Sequence, residues 1–151
     1  MKKILGLVVS LTIISGVCAG VLAYVDSITK EPIKATAEKN REEAKKAVLC
    51  GEEGYPAEGR CKDGYGGDIV LMVGFKKDKK TVISYKVLTA NETPGLGMKL
   101  KTPEFAGQFA GKDGTSLKVK KDGGEIEAIT SATITSRAVC KAIADAQSKL
   151  Q

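Results

Sequence analysis

The hydrophobic and polar positions of this chain follow three different rhythms. From Ile4 to Val25 (ILGLVVSLTIISGVCAGVLAYV) there is only an uncharged apolar run, long enough to cross a bilayer as a helix, which needs about 20 residues. Asp26 to Cys50 is rich in Ala, Lys and Glu with a thin apolar stripe, and predicts a solvated helical stalk. Glu42 and Lys46 sit one turn apart there in the favourable orientation, and Pro32 permits a break or a fresh start. The stretch CGEEGYPAEGRCKDGYGGD is dense in turn formers and reads as a loop leading into the folded part.

Beyond it the rhythm shortens. Asp68 to Phe75 (DIVLMVGF) is nearly continuously apolar and predicts a strand covered on both faces. After the turn KKDKK, Thr81 to Leu88 puts Ile83, Tyr85 and Val87 on one face, as in a hairpin partner. Thr102-Pro103-Glu104 offers an N-cap, a first-turn proline and an early acid for a short helix ending near Gly111. Ser116 to Lys120 and Glu125 to Ile129 predict two further strands around the turn Asp122-Gly123-Gly124. From about Ile134, the residues Val139, Ile143, Ala146 and Leu150 recur at helical spacing, which predicts a final helix packed on the sheet. The expected organisation is a cytoplasmic tip and transmembrane anchor over residues 1–25, a helical stalk over 26–50 and one small domain over 51–151. The fold class is α+β, with a mainly antiparallel sheet packed by a C-terminal helix.

Composition narrows the chemistry. Among 151 residues there is no His, which removes Ser-His-Asp and Cys-His catalysis and His-ligated metal or haem. Redox or transfer chemistry then needs a borrowed cofactor. The formal charge of +6 includes Lys2 and Lys3, and the rest is mildly basic with interspersed acids, which gives no nucleic-acid footprint. Lysines before the apolar run predict that the domain after Val25 lies outside the cytoplasm. A cleaved signal peptide ending near Val21-Leu22-Ala23 is the rival reading, and it too exports the domain. Export permits a disulfide between Cys50 and Cys61, while Cys18 and Cys140 read as small apolar residues.

Three segments carry candidate chemistry. In EAITSATITSRAV, Glu127 to Val139, a strand runs into a helix through small hydroxyl residues. A helix N-terminus there presents free N–H groups to an anion, Ser131 and Ala132 allow close approach, and the Thr133 hydroxyl is open to esterification. The same residue types are also ordinary helix caps. In Asn91 to Lys99, NETPGLGMK, a Pro-Gly turn and a second glycine let backbone approach a flat ligand, with Leu96 and Met98 placed to cover a ring. Gly64-Tyr65-Gly66-Gly67 precedes the first predicted strand and alone is a flexible loop.

Together, GYGGDIVLMVGF, NETPGLGMK and EAITSATITSRAV behind a charged anchor resemble the covalent-FMN subunits of two ion-pumping complexes. These are the G subunit of the Rnf electron transport complex and the C subunit of the sodium-translocating NADH:quinone reductase. The resemblance implies an extracytoplasmic FMN-binding domain on the cytoplasmic (inner) membrane, holding FMN through its phosphate on the threonine that ends a pattern of Asp, two variable residues, Ser or Thr, Gly, Ala, Thr. Here that pattern reads Glu127, Ala128, Ile129, Thr130, Ser131, Ala132, Thr133, with Glu where Asp is usual and Ser where Gly is usual. Thr133 is the implied attachment point. Thr130, Ser131, Ala132, Thr135 and Glu127, with Glu92, Thr93, Gly95, Leu96, Gly97 and Lys99, are the implied cofactor-binding residues. The implied partners are other membrane subunits of the complex and a flavin transferase that uses FAD and magnesium. The implied function is electron transfer within an ion-translocating oxidoreductase, the complex rather than this chain being the enzyme. A stand-alone extracytoplasmic flavin reductase and an exported cofactor-free interaction domain are the alternatives.

Overall fold

The computed structural model describes residues 2–151, and the side chains of the tip Met1-Lys2-Lys3 lie outside the described residues. The chain divides into two compact units, Met1–Lys39 and Asn40–Gln151. Helix α1 spans Lys2–Val48. In the first unit its side chains from Ile4 to Val25 are exposed all round, Leu7 at 72% and Leu22 at 69%. A helix that is apolar on every face and unburied by protein suits hydrocarbon rather than water. Pro32 does not break α1, because strong helix formers flank it on both sides, and the Thr36 hydroxyl donates to the Pro32 carbonyl at 2.8 Å.

The second unit is built on an antiparallel sheet of three strands, β1 (Gly54–Gly64), β2 (Gly67–Lys76) and β3 (Val82–Thr89), in that order. Strand β1 corrects the expectation of a loop. Its turn formers serve here as small residues: Ala57, Gly59 and Cys61 face inward beneath the last helix, α3 (Thr133–Ser148). A Cβ on Gly59 would overlap the Ala142 carbonyl oxygen and lie 2.8 Å from Ala146 Cβ, so glycine is what lets α3 rest on the strand. Pro56 is tolerated because β1 is an outer strand.

Strand β2 is covered on both faces as its apolar run predicts. Ile69, Leu71, Val73 and Phe75 are fully buried in the main core, each worth about 1.5–3 kcal/mol of transfer free energy. On the opposite face Met72 packs with Ala44 and Val48 from the last turns of α1. In β3 the register slips, since Gly74 pairs with Ser84 but Phe75 with Val82. The bulge skips Ile83 and turns Val82 to the same core as Tyr85, so Ile83 does not share the buried face expected of it. Tyr85 donates to the Leu100 carbonyl at 2.6 Å.

Helix α2 (Pro103–Ala106) is short and continues as a 3-10 turn over Gly107–Phe109. Thr102 precedes it without capping it, its hydroxyl turning back to the Lys99 carbonyl at 2.9 Å. Phe109 meets both Phe105 and Tyr85 edge to face at 5.4 Å. The two strands expected over 116–120 and 125–129 do not form. Val119 and Ile126 join by a single parallel bridge, Lys120–Asp122 is a 3-10 turn, and Gly123 takes the left-handed conformation that ends it. Both bridge residues are buried, so the apolar alternation there reports two anchor points rather than a ladder. Helix α3 buries Val139, Ile143 and Ala146 as its spacing predicts, and Leu150 packs half-buried just past its end. All four cysteines are free: Cys50 is exposed, and Cys61 and Cys140 are buried. Burial pushes the Cys140 thiol up to about 12.

Candidate cofactor site

The start of α3 is shaped by a buried serine. Ser136 Oγ accepts the Ile129 N–H at 3.0 Å and donates to the Ala132 carbonyl at 2.9 Å, which folds residues 129–136 into a tight entry to the helix. Within it Ser131 sits at φ +62°, the left-handed region that favours glycine. Ala132 is the N-cap residue and has no side-chain acceptor, so the first-turn N–H groups are left for an external acceptor. Thr133 is the first residue of α3 and half-buried, and its Oγ1 takes a 3.5 Å contact from Lys121 Nζ. Arg137, one turn further, holds Asp122 through two bonds of 2.6 Å. That guanidinium keeps the Asp122 carboxyl below its ordinary value and ties the turn carrying Lys121 to the helix.

A cavity of about 490 Å3 opens beside this helix start, within the ~300–1,000 Å3 usual for small-molecule sites. Thr133, Ser131, Ala132 and Thr135 line one side of it, and Glu92, Thr93, Leu96 and Gly97 line the other. Glu92 joins the three sequence segments. Its carboxylate accepts the Gly66 N–H at 3.2 Å and the Thr135 hydroxyl at 2.7 Å. A Cβ on Gly97 would come within 2.6 Å of Glu92 Oε2 and 2.9 Å of Thr135 Oγ1, which explains the second glycine of the loop.

Four of the expected residues stand elsewhere. Glu127 is exposed and takes Lys120 Nζ at 3.2 Å, while Thr130, Gly95 and Lys99 are exposed and do not line the cavity. Gly95 serves the turn itself, at φ +76°. Met98 is half-buried and also off the lining. Conversely, Tyr65 and Ile134 line the cavity, at 73% and 49% exposed, without having been singled out as binding residues. For Ile134 there was a signal, an apolar residue off the buried stripe of α3. Tyr65 had one too, an aromatic ring set among glycines.

Residues 64–148 match the FMN-binding domain family. The chain belongs to that family. Among its relatives is the G subunit of the ion-translocating oxidoreductase complex of Methanosarcina acetivorans, 31% identical over 94% of this chain and 92% of that protein. The G subunit of the proton-translocating ferredoxin:NAD(+) oxidoreductase complex of Clostridium ljungdahlii is 45% identical over 60% of this chain and 49% of its own length. The corresponding G subunit of the ion-translocating oxidoreductase complex of Vibrio atlanticus is 40% identical over 72% of this chain and 57% of its own. The chain thus spans only about half the length of the bacterial relatives it matches. Within the family it is of the Rnf G-subunit type, and with the uncharged apolar stretch Ile4 to Val25 of α1 long enough to cross a bilayer it is a single-pass membrane protein.

Proposed function

We propose that this chain is the FMN-carrying electron-transfer subunit of an Rnf-like ion-translocating oxidoreductase complex, with the cofactor's phosphate esterified to Thr133. The observation that carries the reading is the entry to α3, where a left-handed Ser131 and an N-cap without an acceptor leave a helix terminus open beside a threonine hydroxyl. The residues present fit the group. The first-turn N–H groups and Lys121 suit a phosphodiester anion, and the exposed apolar side chains of Leu96, Ile134 and Tyr65 around the cavity suit a flat aromatic ring. When bound, FMN would supply reversible one- and two-electron exchange, which amino-acid side chains do not readily provide.

Attachment makes the Thr133 oxygen the nucleophile. It would bond to the phosphorus on the FMN side of FAD as the pyrophosphate bond broke, with AMP as the leaving group and the hydroxyl proton given up to solvent. A magnesium-dependent flavin transferase performs this step outside the cytoplasm. There a covalent tether prevents loss of a cofactor made inside the cell. The positive tip stays inside and the FMN domain outside. The position of Ser131 supports this reading, since a glycine, the residue usual at this place in the family pattern, would adopt its left-handed conformation without strain. The stand-alone reductase is not favoured, because the relatives are named as subunits of complexes.

The test is in-gel flavin fluorescence after denaturation of the chain coexpressed with its transferase. The band should fluoresce, and Thr133→Ala should abolish the signal completely. A fluorescent Thr133→Ala band, or an unmodified wild-type peptide spanning Ile126 to Arg137, would refute the linkage.

A further inference from the structure

Glu92 is the one acidic side chain buried in the core among the described residues, at 5% exposed. Its two oxygens take only neutral donors, the Gly66 N–H and the Thr135 hydroxyl. The ion pairs found among the described residues all lie elsewhere. Glycines stand against both oxygens: a Cβ on Gly64 would reach Oε1 at 2.8 Å and one on Gly97 would reach Oε2 at 2.6 Å. No side chain at either position shields the charge. Burying a carboxylate without a counter-ion is costly, and a glutamine of the same shape would serve as a clasp at lower cost. A buried carboxyl side chain held by two neutral donors on the wall of a cavity stands next to whatever binds there.

We propose that Glu92 sets the potential of the site. Its negative charge, fixed on the cavity wall by Gly66 and Thr135, opposes the arrival of electrons on a flavin bound there and lowers that flavin's reduction potential. The reasoning is electrostatic: a fixed anion on the wall disfavours further negative charge nearby, the more so where a bound ring displaces the water between the two. Hydroxyl and N–H dipoles aimed at the carboxylate offset part of that field. This inference rests on the cavity being the FMN site.

The experiment is a spectroelectrochemical titration of the full chain, coexpressed with the transferase, its adduct first verified by intact mass. Glu92→Gln should shift the flavin midpoint to more positive potential. Thr135→Val keeps the Glu92 side chain but withdraws a dipole that offsets its field, and should shift the midpoint the other way. Thr135→Ser should restore the wild-type value. If both variants move the midpoint in one direction, or neither moves it, Glu92 is a structural clasp and the proposal is overturned. Should Glu92→Gln fail to fold, the sign of Thr135→Val decides alone, and a positive shift or none counts against the proposal. A wild-type chain without adduct would sink the flavin assignment itself, whereas a normal adduct with unmoved potentials would sink only this role for Glu92.

Discussion

On one side of the cavity the buried carboxylate has its partners, and on the other the first N–H groups of a helix have no side-chain cap. The Glu92 side closes on itself: both carboxylate oxygens are occupied, Gly97 packs against them, and among the described residues no buried side-chain polar atom is left without a hydrogen bond. The α3 side stays open, with a left-handed Ser131, an N-cap lacking an acceptor and a half-buried Thr133 hydroxyl contacted only by a lysine. The closed wall supplies rigidity and the open wall supplies valence.

The sharpest way to break that contrast is Gly97→Val, which forces a branched side chain against Glu92 and Thr135. Overpacking and the loss of their bond should cost roughly 3 kcal/mol or more, read as a lower urea midpoint. An unchanged midpoint would mean that the wall is not close-packed. Ala132→Ser works from the other side by adding the missing cap. It should stabilise the flavin-free chain by about 1 kcal/mol while reducing flavin incorporation in the coexpressed chain, and stabilisation without that reduction would separate the open helix terminus from cofactor attachment. Ser131→Gly relieves the left-handed strain at some cost in unfolded-state entropy, for a net gain of about 0.5 kcal/mol in thermal unfolding.

The smallest effect concerns Arg137. Asp122 has its carboxyl lowered by the Arg137 hydrogen bond. Its contribution is therefore fully present above the ordinary carboxylate value and is lost as pH falls through the depressed one. Arg137→Met should return the Asp122 carboxyl towards its ordinary value in an NMR titration, and an unmoved titration would show that the pair does not hold the Lys121 turn.

Much of this architecture is legible where burial dictates residue type. The apolar run of β2 and the spacing of Val139, Ile143 and Ala146 in α3 are explained by the core they enter. Strand β1 is not legible, because its inward positions are chosen for smallness beneath α3, and small residues are also what loops use. The reverse holds over 116–129, where the buried Val119 and Ile126 mimic strand alternation yet make one bridge. At the site, the residues brought together are those whose spacing follows the α3 entry and the Pro-Gly loop. Glu127 and Thr130 belong to the same motif, but Glu127 precedes the turn that Ser136 tightens, Thr130 is exposed within it, and neither lines the cavity. Lys121 could not be read at all, since its approach to Thr133 depends on a long-range ion pair.

Pro56 has a consequence for life at high concentration. A three-stranded sheet has two edges, and β1 forms one of them, where the Arg60 N–H and the Glu58 carbonyl are already bonded to Asp145 and Lys149. A residue with no amide hydrogen in that margin leaves a gap in any ladder a second molecule would try to extend. Along that border a second molecule would find no continuous ladder to extend.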